Sequence, residues 1–153
     1  MKQSKKNLLD LPAAEEIVAR VKNLKVTNAP HWGRMNASEM LLHCNLCMTQ
    51  ILEGDMPFAP TTLKQRVIRF LSFNVVPQFP KNLKTHHRND TKGLVSEAEF
   101  EAQKKRFINV IETFGRHQQP IALTHPAFGT LNTRQWGLAA WMHMDHHLRQ
   151  FGV

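Results

Sequence analysis

The sequence predicts an all-α protein, four long helices and one shorter one joined by long connections. Three segments, Asn36-Ala37-Ser38-Glu39, Ser96-Glu97-Ala98-Glu99 and Asn132-Thr133-Arg134-Gln135, have the composition of capping boxes. In such a box the first side chain and the acid or amide three residues on satisfy each other's backbone N–H groups. The residues that follow each box carry apolar stripes at helical spacing. No run alternates with the period of two that a half-buried strand requires, and no internal repeat is visible.

Leu11 to Lys25 reads as the first helix. Pro12 falls in the first turn, where its missing N–H costs little. Glu15 and Glu16 lie toward the positive end of the helix dipole, with Arg20, Lys22 and Lys25 toward the negative end. Ile17, Val18, Val21 and Leu24 form the stripe. Val26 to Arg34, with Pro30 and Gly33, is a connector. The second helix, near 37–53, runs from the Asn36 box to Gly54. Its apolar face is Met40, Cys44, Cys47, Met48 and Ile51, with Asn45, Thr49 and Glu53 opposite. His43 lies at the edge of that face, close in angle to Cys47 and Gln50. The short helix, near 62–73, has Leu63, Val67, Phe70 and Leu71 on one side among Lys64, Arg66 and Arg69. That side is expected to pack across the bundle, with a membrane-surface or nucleic-acid contact as alternatives.

Val76 to Val95 is a long polar loop containing Pro77, Pro80 and Gly93, of a length associated with functional lids or mobile connectors. His86 and His87 within it are expected to face solvent. The next helix, near 96–114, opens with a Val95–Phe100 staple, carries Phe100, Phe107, Ile111 and Phe114, and is expected to end at Gly115. His117 to Gly129 reads as irregular. The last helix, near 133–150, holds the most informative pattern. Trp136, Ala140, His143, Met144, His147 and Phe151 share one face, and Asp145 and Arg149 mark the other. His143 and His147, four apart on a core-facing surface, have the spacing to share one metal ion. The alternative is a pair of core histidines bonded to their neighbours. His43 is the third candidate ligand. His146 sits on the flank, and Gln150 lies one turn beyond His147. Cys44-Asn45-Leu46-Cys47 lies mid-helix, away from the dipole end that activates redox thiols, so it reads as two small core residues. Cys47, one turn after His43, remains a candidate pocket residue or fourth ligand.

The 153 residues fit one domain, 1–153. Hydrophobic residues make up 42% and charged residues 21%, the balance of a water-soluble fold, and no apolar run is long enough to span a bilayer. The basic start Met1–Lys6 is followed by Asp10, Glu15 and Glu16, not by the apolar core of an export signal. A cytoplasmic location is expected, and two cysteines do not make a disulfide framework. The net charge of +8 is compatible with an anionic partner. With no Tyr and no basic block interleaved with stacking aromatics, nucleic acid is not the expected partner.

Trp32-Gly33-Arg34-Met35, Glu39-Met40-Leu41-Leu42-His43, His125-Pro126-Ala127-Phe128-Gly129, and His143-x-x-x-His147 followed by Leu148-Arg149-Gln150-Phe151 occur in that order. Together they resemble the DinB/YfiT-like metalloenzyme superfamily, in a branch of unknown function, over most of the chain from Trp32 onward. The resemblance implies a four-helix bundle, often dimeric, with a divalent ion held by three histidines that fall on His43, His143 and His147. Zinc or nickel is the expected ion, with iron or manganese also compatible. Cys47 departs from the family pattern, and no inward carboxylate accompanies the histidines. The leading expectation is a metal-dependent transferase or hydrolase acting on a small anionic or thiol-bearing molecule. His146 is then a candidate proton carrier and Gln150 a hydrogen-bonding group at the open position. A non-catalytic metal-stabilised module, with a nucleic-acid or stress association, is the alternative. A homodimer is compatible with either, and no membrane partner is expected.

Overall fold

The computed structural model describes residues 5–153. Part of the basic start, residues 1–4, lies outside the described residues. Five α-helices are found among the described residues: α1 (Leu11–Lys22), α2 (Ala37–Glu53), α3 (Leu63–Asn74), α4 (Phe100–Gly115) and α5 (Thr133–Gln150). Two short strands, β1 (Leu123–His125) and β2 (Gly129–Leu131), and two 3-10 turns, His87–Asn89 and Glu97–Glu99, complete them. None of these helices is long and apolar enough to cross a membrane.

The long helices pack as α2 on α4, α1 on α4, α1 on α5 and α2 on α5. Their stripes meet in one core: Ile17 and Val21 of α1, Met40, Cys44 and Met48 of α2, Phe107, Ile111 and Phe114 of α4, and Trp136, Met144 and Leu148 of α5. Each such side chain removed from water contributes roughly 1.5–3 kcal/mol. The outer side of α5 is tied to α1 by a charge cluster. Asp145 accepts from Arg20 Nη1 and from Arg149 Nε, both at 2.8 Å, while Arg20 also donates to the Val153 carbonyl.

Several sequence expectations meet different physics. α1 stops at Lys22, three residues early, because Asn23 and Leu24 fold back in turns onto the Arg20 and Val21 carbonyls. The Ser96 box is formed, but it opens a 3-10 turn from which α4 continues at Phe100. Gly115 does close α4, as expected, though without adopting a left-handed conformation. It is buried within the last turn of α4, where a Cβ would lie 2.8 Å from the Ala14 Cβ, so its value is the close approach of α1. Asn45, expected on the polar side of α2, is fully buried and donates to Gln103 of α4. The irregular stretch contains the β1–β2 hairpin, antiparallel with Thr124 opposite Thr130, and strands of three residues are too short to show alternation.

The largest departure is α3, which opens with its own Thr62–Gln65 capping box. No residue of α3 is buried, and Leu63, Val67, Phe70 and Leu71 point outward. Its opposite side meets the hairpin through Gln65 Nε2 to the Pro126 carbonyl (2.9 Å) and Arg69 Nη1 to the Thr130 carbonyl (2.7 Å). The apolar side therefore does not pack across the bundle as the stripe suggests.

The loop after α3 is anchored on α2. Glu39, 3% exposed, accepts from Asn36 N as the capping acid, and also from Gly93 N (2.7 Å) and Lys92 Nζ (3.1 Å). Thr91 Oγ1 donates to the Glu39 carbonyl at 2.7 Å. Burial alone would raise the Glu39 pKa, but these donors outweigh it and hold the carboxyl below its ordinary 4.5. A depressed folded pKa gives stability that is present above 4.5 and lost as pH falls through the folded value. Glu39→Ala should therefore cost about 2 kcal/mol at pH 7, the range for a cap plus charge-assisted hydrogen bonds. The gap between variant and wild type should narrow in denaturant melts below pH 4.5; a pH-independent gap would mean that packing, not charge, is responsible.

Candidate metal centre

Three imidazoles converge where α2 faces α5. His43 Nε2 and His147 Nε2 each lie 3.0 Å from His143 Nε2, and the His43 and His147 ring centroids are 4.8 Å apart. Cys47 Sγ is 3.9 Å from His43 Nε2. One ligand atom each from His43, Cys47 and His143 lies within 4.8 Å of the others, so this His-Cys-His group could hold a metal ion. The helical spacings His43–Cys47 and His143–His147 put each pair on one face, and the packing of α2 on α5 brings the faces together.

The far side of two rings is fixed by hydrogen bonds. His43 Nδ1 is 2.8 Å from the Asn89 carbonyl, an oxygen that can only accept, so Nδ1 carries the proton. His147 Nδ1 is 2.9 Å from Gln150 Oε1. The Gln150 amide is oriented in turn, because its Nε2 donates to the Trp32 carbonyl at 2.6 Å. His147 is thus also protonated on Nδ1. In the neutral rings both remaining Nε2 atoms are bare lone pairs aimed at His143, whose own Nε2 has at most one proton to share. Three nitrogens converging with one shareable proton suit a cation better than they suit one another.

Charge on the rings is disfavoured throughout. Burial is the main cause of the lowered pKa of His43, with Asn89 and Asp90 opposing it. Burial, then the neighbouring His147 and His43, push His143 well below 6.5. Burial and His43 do the same to His147 against the Gln150 hydrogen bond. Burial raises the Cys47 thiol to about 12. Cys44 is fully buried beside the Met40 sulfur, and both cysteines are free.

The two other expected site residues differ in placement: Gln150 stands outside the cavity, whereas His146 lines it beside the imidazoles. Gln150 is behind His147, with both ends of its amide engaged, and does not face the convergence point. Its neighbour Gly33 has φ +83°, and a Cβ there would sit 2.6 Å from Gln150 Nε2. His146 is buried, 5.5 Å from the Trp32 ring and 5.1 Å from His147, with Nδ1 lacking a partner among the described residues. Burial, then Arg149, lowers its pKa against a hydrogen bond with the Phe79 backbone.

A cavity of about 490 Å³ opens onto the imidazoles, walled by α2, α5, the hairpin, α3 and the loop after it. The loop expected to be lid or connector contributes Phe79, Leu83, Lys84 and Asn89 to this wall. His86 reaches the wall while remaining exposed, and His87 is exposed as expected. No Asp or Glu lines the cavity among the described residues. Sequence reasoning missed Asn89 and Trp32, which act through backbone carbonyls that any residue could supply. It also missed the role of His125, whose ring stacks on Phe128 at 4.4 Å in the cavity wall. Burial lowers the His125 pKa to about 4. An NMR titration should show His125 neutral down to about pH 5, and a midpoint near 6.5 would contradict its packing.

No curated protein and no solved structure matches the chain. A family model described as "Protein of unknown function (DUF1569)" matches residues 3–152. With nearly every residue under that match, the centre described above included, the chain belongs to the DUF1569 family.

Proposed function

We propose that the protein is a divalent-metal-dependent enzyme, a transferase or hydrolase acting on a small anionic or thiol-bearing molecule. In this reading α1, α2, α4 and α5 form a DinB-like four-helix bundle, and α3 is the additional short helix. His43, His143 and His147 are the metal ligands. The observation that carries the reading is the pair of Nδ1 hydrogen bonds, to Asn89 and Gln150, that turn the lone pairs of His43 and His147 onto His143. Imidazole suits zinc, nickel and iron, manganese prefers oxygen ligands, and zinc or nickel fits a three-histidine set best.

A divalent ion held there would supply Lewis acidity and bring the pKa of a coordinated water to about 7 or stabilise a thiolate. The chain's own residues do the rest. Three neutral ligands leave the site cationic, which favours a negatively charged partner. The apolar cavity wall excludes bulk water and strengthens that attraction. Gln150 is a positioning group in this reading, because it is spent on His147 and Trp32, while His146, which lines the cavity, is the candidate proton carrier. Among the described residues no carboxylate lines the cavity, which argues against a mechanism built on a strong general base.

His147→Ala should abolish stoichiometric metal in protein prepared without a histidine tag, while His86→Ala keeps it. Equal metal content in the two would defeat the ligand assignment. Gln150→Leu should weaken binding by about 10–100-fold while the helical CD signal is kept, the usual effect of losing a ligand's hydrogen-bond partner. Ligand nitrogens must be unprotonated, and all three pKa values lie below 6.5. Affinity should therefore hold through neutrality and fall only once pH drops under that value.

Cys47 separates this reading from the non-catalytic module. As a fourth ligand it would close the site, and its place beside His43 is the observation in favour of that arrangement. The open-site reading expects cobalt-loaded protein to lack intense thiolate charge-transfer absorption. Strong absorption lost in Cys47→Ser would transfer the support to a closed structural site. Reactivity toward thiol cosubstrates or activated esters should vanish on chelation and return with added metal.

A further inference from the structure

The cavity has two features that ion binding alone does not use. Its wall is predominantly apolar, with Ile51, Phe79, Phe128 and Trp136 among the contributors, and its cation, Lys84, is exposed at the edge. The second feature is His125. Its Nδ1 accepts from the Ala127 N–H at 3.0 Å, so in the neutral ring the proton is on Nε2. The ring is held by stacking on Phe128 and by a tilted contact with Trp136 at 5.4 Å. No protein acceptor meets its Nε2 among the described residues, which leaves an oriented N–H donor in an apolar wall. Small-molecule sites are built this way, with apolar area for affinity and a few placed polar groups for orientation.

We propose that the cavity binds an amphiphilic monoanion: a carboxylate or thiolate head directed to the His43–His143–His147 centre, a medium-length apolar body along the wall, and a hydrogen bond from His125 Nε2–H to an acceptor atom of the ligand. The head assignment rests on the metal reading above, whereas the body and the His125 contact rest on the cavity itself. A second anionic group is disfavoured by the apolar wall, and a cationic group has no carboxylate to meet.

The test uses full-length cobalt-loaded protein titrated with straight-chain carboxylates from acetate to decanoate, with visible absorption reporting the head and tryptophan fluorescence the body. Affinity should rise about fourfold per methylene between hexanoate and decanoate, the fold-change equivalent of burying one CH₂. His125→Phe, which keeps an aromatic ring in the stack, should bind an octanoate carrying a mid-chain ketone about five- to tenfold more weakly, with unchanged cobalt content, unchanged chain-length dependence and unchanged affinity for plain octanoate. His125→Gln retains an N–H donor and should recover part of the loss, and CD verifies folding of both. If acetate and decanoate perturb the cobalt spectrum with equal affinity, the amphiphile is overturned while the metal reading survives. If chain-length dependence appears in fluorescence but the protein takes up no cobalt, the metal reading and the head assignment fall and the apolar body stands. Equal affinity of wild type and His125→Phe for the keto-substituted octanoate overturns the His125 contact.

Discussion

The centre depends on a shortage of protons. Three Nε2 atoms meet at spacings of 3.0 Å, two of them as acceptors fixed by Nδ1 hydrogen bonds made on the opposite side of each ring. Neutral His143 can donate to one of the two and must leave the other facing a lone pair. Protonating a second ring would relieve that mismatch, but burial and the neighbouring rings oppose it. What distinguishes this cluster from ordinary core histidines is therefore the direction of its hydrogen bonds.

That direction is set by backbone remote in sequence. The Asn89 carbonyl reaches His43 because the loop after α3 is tied down on both sides, through Thr91, Lys92 and Gly93 onto Glu39 and through the Asn89 side chain onto Gln50. Glu39 thus joins the start of α2, as its capping acid, to the segment that orients a side chain one turn later. Trp32, before α2, orients Gln150 through its carbonyl, and Gly33 leaves room for the amide. The ends of the connectors are as much a part of the centre as the helices that carry the imidazoles.

Helix positions were legible from caps and stripes because both are local: Asn36, Gly54 and Asn132 act on their own turns. The face shared by His143 and His147, and the inward edge held by His43, were legible for the same reason. Tertiary choices were not. A stripe states that α3 has an apolar side without stating where that side goes, and the other side met the hairpin, Gln65 and Arg69 through its carbonyls and Phe73 through the Phe128 ring. Gly115 reads as a stop in one dimension and proves to be a contact point as well in three. Asn89 and Trp32 were invisible since a backbone carbonyl has no sequence signature. His125 stood in a recognisable motif, but its fixed donor follows from a turn geometry that the motif does not spell out.

The placement of α3 also bears on the ladder of local stabilities. α3 has no fully buried residue, and only Ile68 and Phe73 pack against the core, so it loses less apolar burial by detaching than the other helices would. Ile68 and Ser72 of this helix line the cavity, so a detachment of α3 is also one that unroofs the cavity. Exchange of molecules with the interior is thereby linked to the opening free energy of one element, whose hold on the shared core runs through two side chains, Ile68 and Phe73.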